Sequence, residues 1–99
     1  MTAAETRVAT PNASKYLQQL CKHWSHKFPV EFTPERGTIP FADGRVCYLS
    51  ASADALAIRV EVPEETALAR MEQVVIDHLK RFAFRENLDD VTWTRLAAA

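Results

Sequence analysis

Ala55-Leu56-Ala57-Ile58-Arg59-Val60-Glu61-Val62 alternates strictly. Leu56, Ile58, Val60 and Val62 fall on one face of an extended chain, and Ala57, Arg59 and Glu61 on the other. A period of two is that of a half-buried strand, and a polar second face marks an antiparallel sheet with one side in water. Immediately downstream the period changes. Pro63-Glu64-Glu65 reads as a helix opening, with proline early and acids in the first turn, where the helix dipole favours them. Leu68, Met71, Val75, Leu79 and Phe82 then step by three and four, a single apolar stripe. A strand with one apolar face followed by a helix with one apolar stripe calls for two layers.

Upstream, three turn signals separate short extended segments. Ser52-Ala53-Asp54, Asp43-Gly44 and Pro34-Glu35-Arg36-Gly37 punctuate strands expected at 30–32, 38–41, 45–50 and 55–62. Asp43-Gly44 is the strongest hairpin signal, since both residues tolerate positive φ. A first short strand is expected at 6–10, around Val8. Thr10-Pro11-Asn12 reads as a helix start, capped either by Thr10 with Pro11 in the first turn or by Asn12. That helix should run to about residue 27 and stop before Pro29, which disfavours helix in the residue ahead of it. After a loop at 86–90, a last strand is expected at 91–95, with Trp93 in its middle. The order is β-α-β-β-β-β-α-β: an α+β two-layer sandwich, a largely antiparallel sheet with two helices on one face. One domain should span 1–99, frayed at about 1–4 and 96–99. The uncovered sheet face should be polar, carrying Arg7, Glu31, Arg59, Glu61, Thr92 and Thr94.

Composition narrows the functional classes. In 99 residues, 47% are apolar, enough for one packed core. Twelve Lys and Arg stand against 13 Asp and Glu, with no basic block of the kind nucleic-acid binding needs. No long apolar run suggests a membrane span, and Met1-Thr2-Ala3-Ala4-Glu5-Thr6-Arg7 lacks the apolar stretch of a signal peptide. Cys21 and Cys47 lie outside any C-x-x-C spacing and read as reduced, buried thiols of a cytoplasmic protein. No Gly-rich phosphate loop, G-x-S-x-G turn or other catalytic constellation is present, and no cofactor is indicated. Asp77 and Arg81, four apart on an exposed face, read as a surface ion pair.

The chemically richest stretch is Tyr16-Leu17-Gln18-Gln19-Leu20-Cys21-Lys22-His23-Trp24-Ser25-His26-Lys27. On a helical wheel of about 100° per residue, Leu20, Cys21, Trp24 and Phe28 lie near Leu17 as a buried stripe. His23 sits on the flank, about 160° from Cys21, and His26 faces solvent. Cys21, His23 and His26 therefore cannot converge on one ion, although His23 and His26 alone remain an alternative metal pair. His78 lies on a flank of the second helix. If the two helices run antiparallel, His23 and His78 should be offset along the axis by about 10 Å, which argues against a shared site. Trp24, Trp93 and Tyr48 read as core residues. Arg81-Phe82-Ala83-Phe84-Arg85-Glu86 is the remaining candidate. Phe82 continues the core stripe and Phe84 caps the core. Arg81 and Arg85, one turn apart and with His78 nearby, could clamp an anion over an aromatic floor.

These segments carry a resemblance. Arg7-Val8-Ala9-Thr10, Tyr16 to His23, His26-Lys27, Val30-Glu31-Phe32 and Gly44-Arg45-Val46-Cys47 are similar to a prokaryotic family known as domain of unknown function 2218. So are His78-Leu79, Arg81 to Glu86 and Thr92-Trp93. Domains of this kind also occur near or fused to siderophore-interacting flavin reductases, which release iron from ferric chelates. The resemblance therefore implies an iron and siderophore neighbourhood, with such a reductase or an anionic ligand as partner. It brings no catalytic residues. The family pattern includes positions matching Cys21, His23, His26, His78, Arg81 and Arg85. A small metal- or haem-binding protein or enzyme using His23, His26 or His78 is the alternative expectation.

Overall fold

A computed structural model describes residues 2–84, 86 and 91–96. Strands β1 (Thr2–Ala9), β2 (Glu31–Phe32), β3 (Arg36–Pro40), β4 (Val46–Ala51), β5 (Ala55–Val62) and β6 (Thr94–Leu96) form one six-stranded sheet, ordered β2-β3-β4-β5-β1-β6. Every pairing in it is antiparallel. Helices α1 (Ala13–Trp24) and α2 (Leu68–Phe82) cover one face, α1 over β3, β4 and β5 and α2 over β5 and β1. The α+β sandwich read from the sequence is the fold.

β5 follows its alternation. Leu56, Ile58, Val60 and Val62 are at most 1% exposed and meet Leu17, Leu20, Leu68, Val75 and Leu79 of the helices in one core. Full burial of each such side chain stabilises by about 1.5–3 kcal/mol. Asp43 and Gly44 both take positive φ, 65° and 78°, within the five-residue connection 41–45 between β3 and β4.

Several boundaries differ from the sequence reading, among them the last strand, which is Thr94–Leu96 where 91–95 was expected. β1 begins at Thr2, because β5 offers eight successive partners down to Thr2 opposite Val62; residues 2–4 are paired, where fraying was expected. α1 ends at Trp24, three residues early, where the Ser25 hydroxyl donates to the Lys22 carbonyl at 2.7 Å and tightens the last turn. α2 starts at Leu68 after a 3₁₀ turn at Glu65–Ala67, so Pro63 and Glu64 lie in the connection. Among the described residues no helix is long and apolar enough to cross a membrane.

The start of α1 is held by a residue far along the chain. Asn12 occupies the cap position but its side chain makes no capping bond. Its amide instead donates to Glu86 Oε2 at 3.1 Å, the Thr10 hydroxyl donates to Glu86 Oε1 at 2.7 Å, and the Tyr16 hydroxyl donates to Glu86 Oε2. A carboxylate over a helix N-terminus also meets the positive end of the dipole. These bonds tie the segment after α2 to the beginning of α1.

Candidate functional site

That tether, with the ring contacts, fixes how α2 lies on α1. Going along the chain, His78 sits against Trp24 and His23, Phe82 against His23, and Glu86 against Tyr16 and Asn12. The segment 78–86 thus retraces α1 from its last turn to its first. The packing is antiparallel but staggered, and the overlap involves the C-terminal part of α2 alone. His23 and His78 therefore meet, with ring centroids 5.1 Å apart. This corrects the separation of about 10 Å expected for antiparallel helices, which ignored stagger, a property of tertiary packing that a wheel cannot supply.

The resulting cluster sits on an aromatic support. Trp24, buried as expected, lies 4.7 Å from His78 and 5.0 Å from Phe41, and Phe28 packs on Phe41 at 5.1 Å. His78 is half-buried, with Nδ1 2.7 Å from the Val74 carbonyl; when that nitrogen carries the proton, Nε2 is left as an acceptor. His23 is held below its ordinary pKa of 6.5. Loss of hydration over its ring is the first cause, followed by the positive charges of His78, Arg81, His26 and Lys27. Among the described residues no negative group contributes.

Arg81 is exposed, and it has no ion pair among the described residues. Its expected partner, Asp77, instead accepts from Gln73 Nε2 at 2.7 Å. Helical side chains lean towards the N-terminus, so Asp77 reaches back one turn rather than forward. Phe84 is 74% exposed, not a cap on the core, because α2 has ended two residues earlier. Arg85 lies outside the described residues. His26 is exposed beyond the end of α1, while Cys21 and Cys47 are buried. Burial pushes the Cys21 thiol up to about 11 and raises Cys47 further. Among the described residues no three His, Cys, Asp or Glu side chains converge as a metal set.

A family model described as "Uncharacterized protein conserved in bacteria (DUF2218)" matches residues 5–94. The chain belongs to this family. The DUF2218 chain is also similar to PA4090 from Pseudomonas aeruginosa, whose NMR structure shares 45% sequence identity and a TM-score of 0.79. That likeness covers 95% of this chain and 96% of the other. No curated protein matches.

The sequence reading missed one feature of this DUF2218 fold. The uncovered sheet face holds a hollow of ≈ 900 Å³ lined by Arg36, Tyr48, Ser50, Ala57 and Arg59, among others. Arg36, assigned to a turn, is the first residue of β3. Tyr48, read as core, is 39% exposed on that face. The alternation of Cys47 and Leu49 with Tyr48 and Ser50 is the signal that could have found it.

Proposed function

We propose that this chain is a small cytoplasmic accessory domain of iron and siderophore utilisation that binds an anionic group at the C-terminal end of α2. His78 and Arg81, with Arg85, are the contacting cations, and Phe84 is the neighbouring exposed ring. The ligand is an anionic ferric chelate, or an acidic patch on a siderophore-interacting reductase. One observation carries this reading: the His23 and His78 rings meet with centroids 5.1 Å apart on the same helix end as Arg81, which has no ion pair among the described residues. A cationic surface left unneutralised among the described residues attracts an anion, and arginine suits the multidentate oxygens of carboxylates and chelates. The same cations disfavour a divalent metal, so the observation favours an anion over the metal or haem alternative.

Titration with citrate and ferric citrate, followed by histidine and amide NMR signals, tests it. Binding with Kd of about 1 mM or tighter is expected. It should move His23 and His78 signals and raise the His23 pKa. Double substitution Arg81→Ala with Arg85→Ala should abolish binding with the fold intact. Unchanged affinity in that variant removes the proposal.

A further inference from the structure

The residues outlining the hollow are arranged in rows by the strand register. One row runs Arg7, Ala57, Ser50, Arg36 across β1, β5, β4 and β3. The next runs Thr94, Glu5, Arg59, Tyr48, Thr38. In the first row two small side chains lie between two arginines. With strands spaced about 4.8 Å apart, the backbones of Arg7 and Arg36 stand about 14 Å from each other, and the trough between them has a floor of Ala57 and Ser50. In the second row Tyr48 stands directly opposite Arg59 and diagonal to Arg36, a separation of about 7–8 Å that long side chains bridge. Thr92 and Thr94 line the β6 side, where the Thr6 hydroxyl donates to the Thr92 carbonyl at 2.8 Å and ties that segment to β1.

The charge is uneven. Three arginines and one glutamate line the hollow. Arg59 is already held by Glu5 at 2.6 Å and Glu61 at 2.8 Å, and Arg7 lies 3.6 Å from Asp54. Arg36 has no ion pair among the described residues. The Arg36 guanidinium, the half-exposed phenol ring and the hydroxyls of Thr38 and Ser50 share one depression, whose ≈ 900 Å³ falls in the size range of small-molecule sites.

We infer that this face is a second binding site, separate from the helix-end cluster, for a small planar aromatic carboxylate. The ring lies over Ala57 and Ser50 against Tyr48, and the carboxylate pairs with Arg36. Its mixed lining suits such a ligand better than an apolar one, because the hydroxyls and guanidinium would lose hydration without a partner.

The test uses 2-naphthoate and its neutral counterpart, 2-naphthylmethanol, with amide shifts mapped on the intact protein. Saturable naphthoate binding with Kd of about 1 mM or tighter is expected, with shifts confined to Arg36, Thr38, Tyr48, Ser50, Ala57 and Arg59. Arg36→Gln and the alcohol should each weaken binding about tenfold or more. Ser50→Trp, at an exposed position, should block the trough whatever its charge. Arg81→Ala should leave the naphthoate-induced shifts on this face unchanged, which separates this site from the helix end. Absence of saturable binding overturns the inference. Equal affinity for acid and alcohol, an unaffected Arg36→Gln, or shifts gathered at His23 and His78 overturn it too.

Discussion

The Glu86 tether can be broken one bond at a time. In Tyr16→Phe the buried ring stays and only the hydroxyl goes; in Glu86→Gln the shape stays and only the charge goes. A hydrogen bond to a charged group contributes about 1.5–3 kcal/mol. Glu86 is half-exposed, so water recovers part of that, and each single variant should lose about 1–2 kcal/mol. For a chain of this length that is a fall in Tm of about 4–16 °C. Because Tyr16→Phe removes the bond that Glu86→Gln strips of its charge, the double variant should lose less than the sum, with a coupling of about 1 kcal/mol. Urea unfolding of the four proteins measures this.

The same contacts set a pH dependence. The Tyr16 hydroxyl, then that of Thr10, holds the Glu86 carboxyl below its ordinary 4.5. A depressed carboxyl contributes stability that is fully present above 4.5 and lost as pH falls through the lower folded value. The gap between wild type and Glu86→Gln should therefore close on acidification below about 4.5. Burial, and then Glu86, raises Tyr16 above 10.0, so stability fades as pH climbs past that value, and Tyr16→Phe should be spared this loss. Losses that add to within about 0.3 kcal/mol, with a gap that does not change with pH, would refute the reasoning.

Gly37→Ala should destabilise by about 1–3 kcal/mol in urea unfolding, since a Cβ there meets Cys21 Sγ at 2.6 Å. Adding Cys21→Ala should recover part of the loss; a single variant as stable as wild type would contradict the close approach. His23 should titrate below 6.5 by NMR, and His78→Asn should move it upward by removing one of the charges that depress it. A wild-type value at or above 6.5 would contradict the packing described for the histidines. The sign for stability follows: the unfolded state binds this proton more readily, so His23 weakens the fold as pH falls below 6.5.

Much of the fold is written in local periodicity. The alternation in β5, the Leu17–Trp24 stripe and the Asp43-Gly44 turn each need only neighbouring residues to be read, and each forms as read. The start of β1 was hidden because Thr2-Ala3-Ala4 has weak strand character; its order comes from β5, which supplies partners already in register. Tyr48 was judged by residue type instead of by period, and the period was right. The site was less legible. Arg81 and His78 were found from their chemistry, but the meeting of His23 with His78 depends on the stagger of two helices, which the Glu86 bonds reveal and no single segment encodes.

The basic helix end also has an ordinary explanation, and the direction of one pKa bears on it. Lys22 and His23 in the last turn of α1, and Lys80 and Arg81 in the last turn of α2, are what the negative ends of two helix dipoles would select. Dipole compensation alone makes a further prediction: a histidine at a helix C-terminus should hold its proton more tightly and titrate higher. His23 is displaced the other way, by lost hydration and by four positive neighbours. Lost hydration and like charge thus outweigh whatever the carbonyls of α1 contribute at His23. What remains is a surface on which protonation is resisted and an added anion would relieve the repulsion. By linkage, an anion that raises the His23 pKa must bind more tightly as pH falls through that pKa. Tighter citrate binding at pH 5.5 than at pH 8, beyond what citrate's own protonation accounts for, would separate a binding surface from a merely capped pair of helices; affinity that is flat with pH would leave capping as the sufficient explanation.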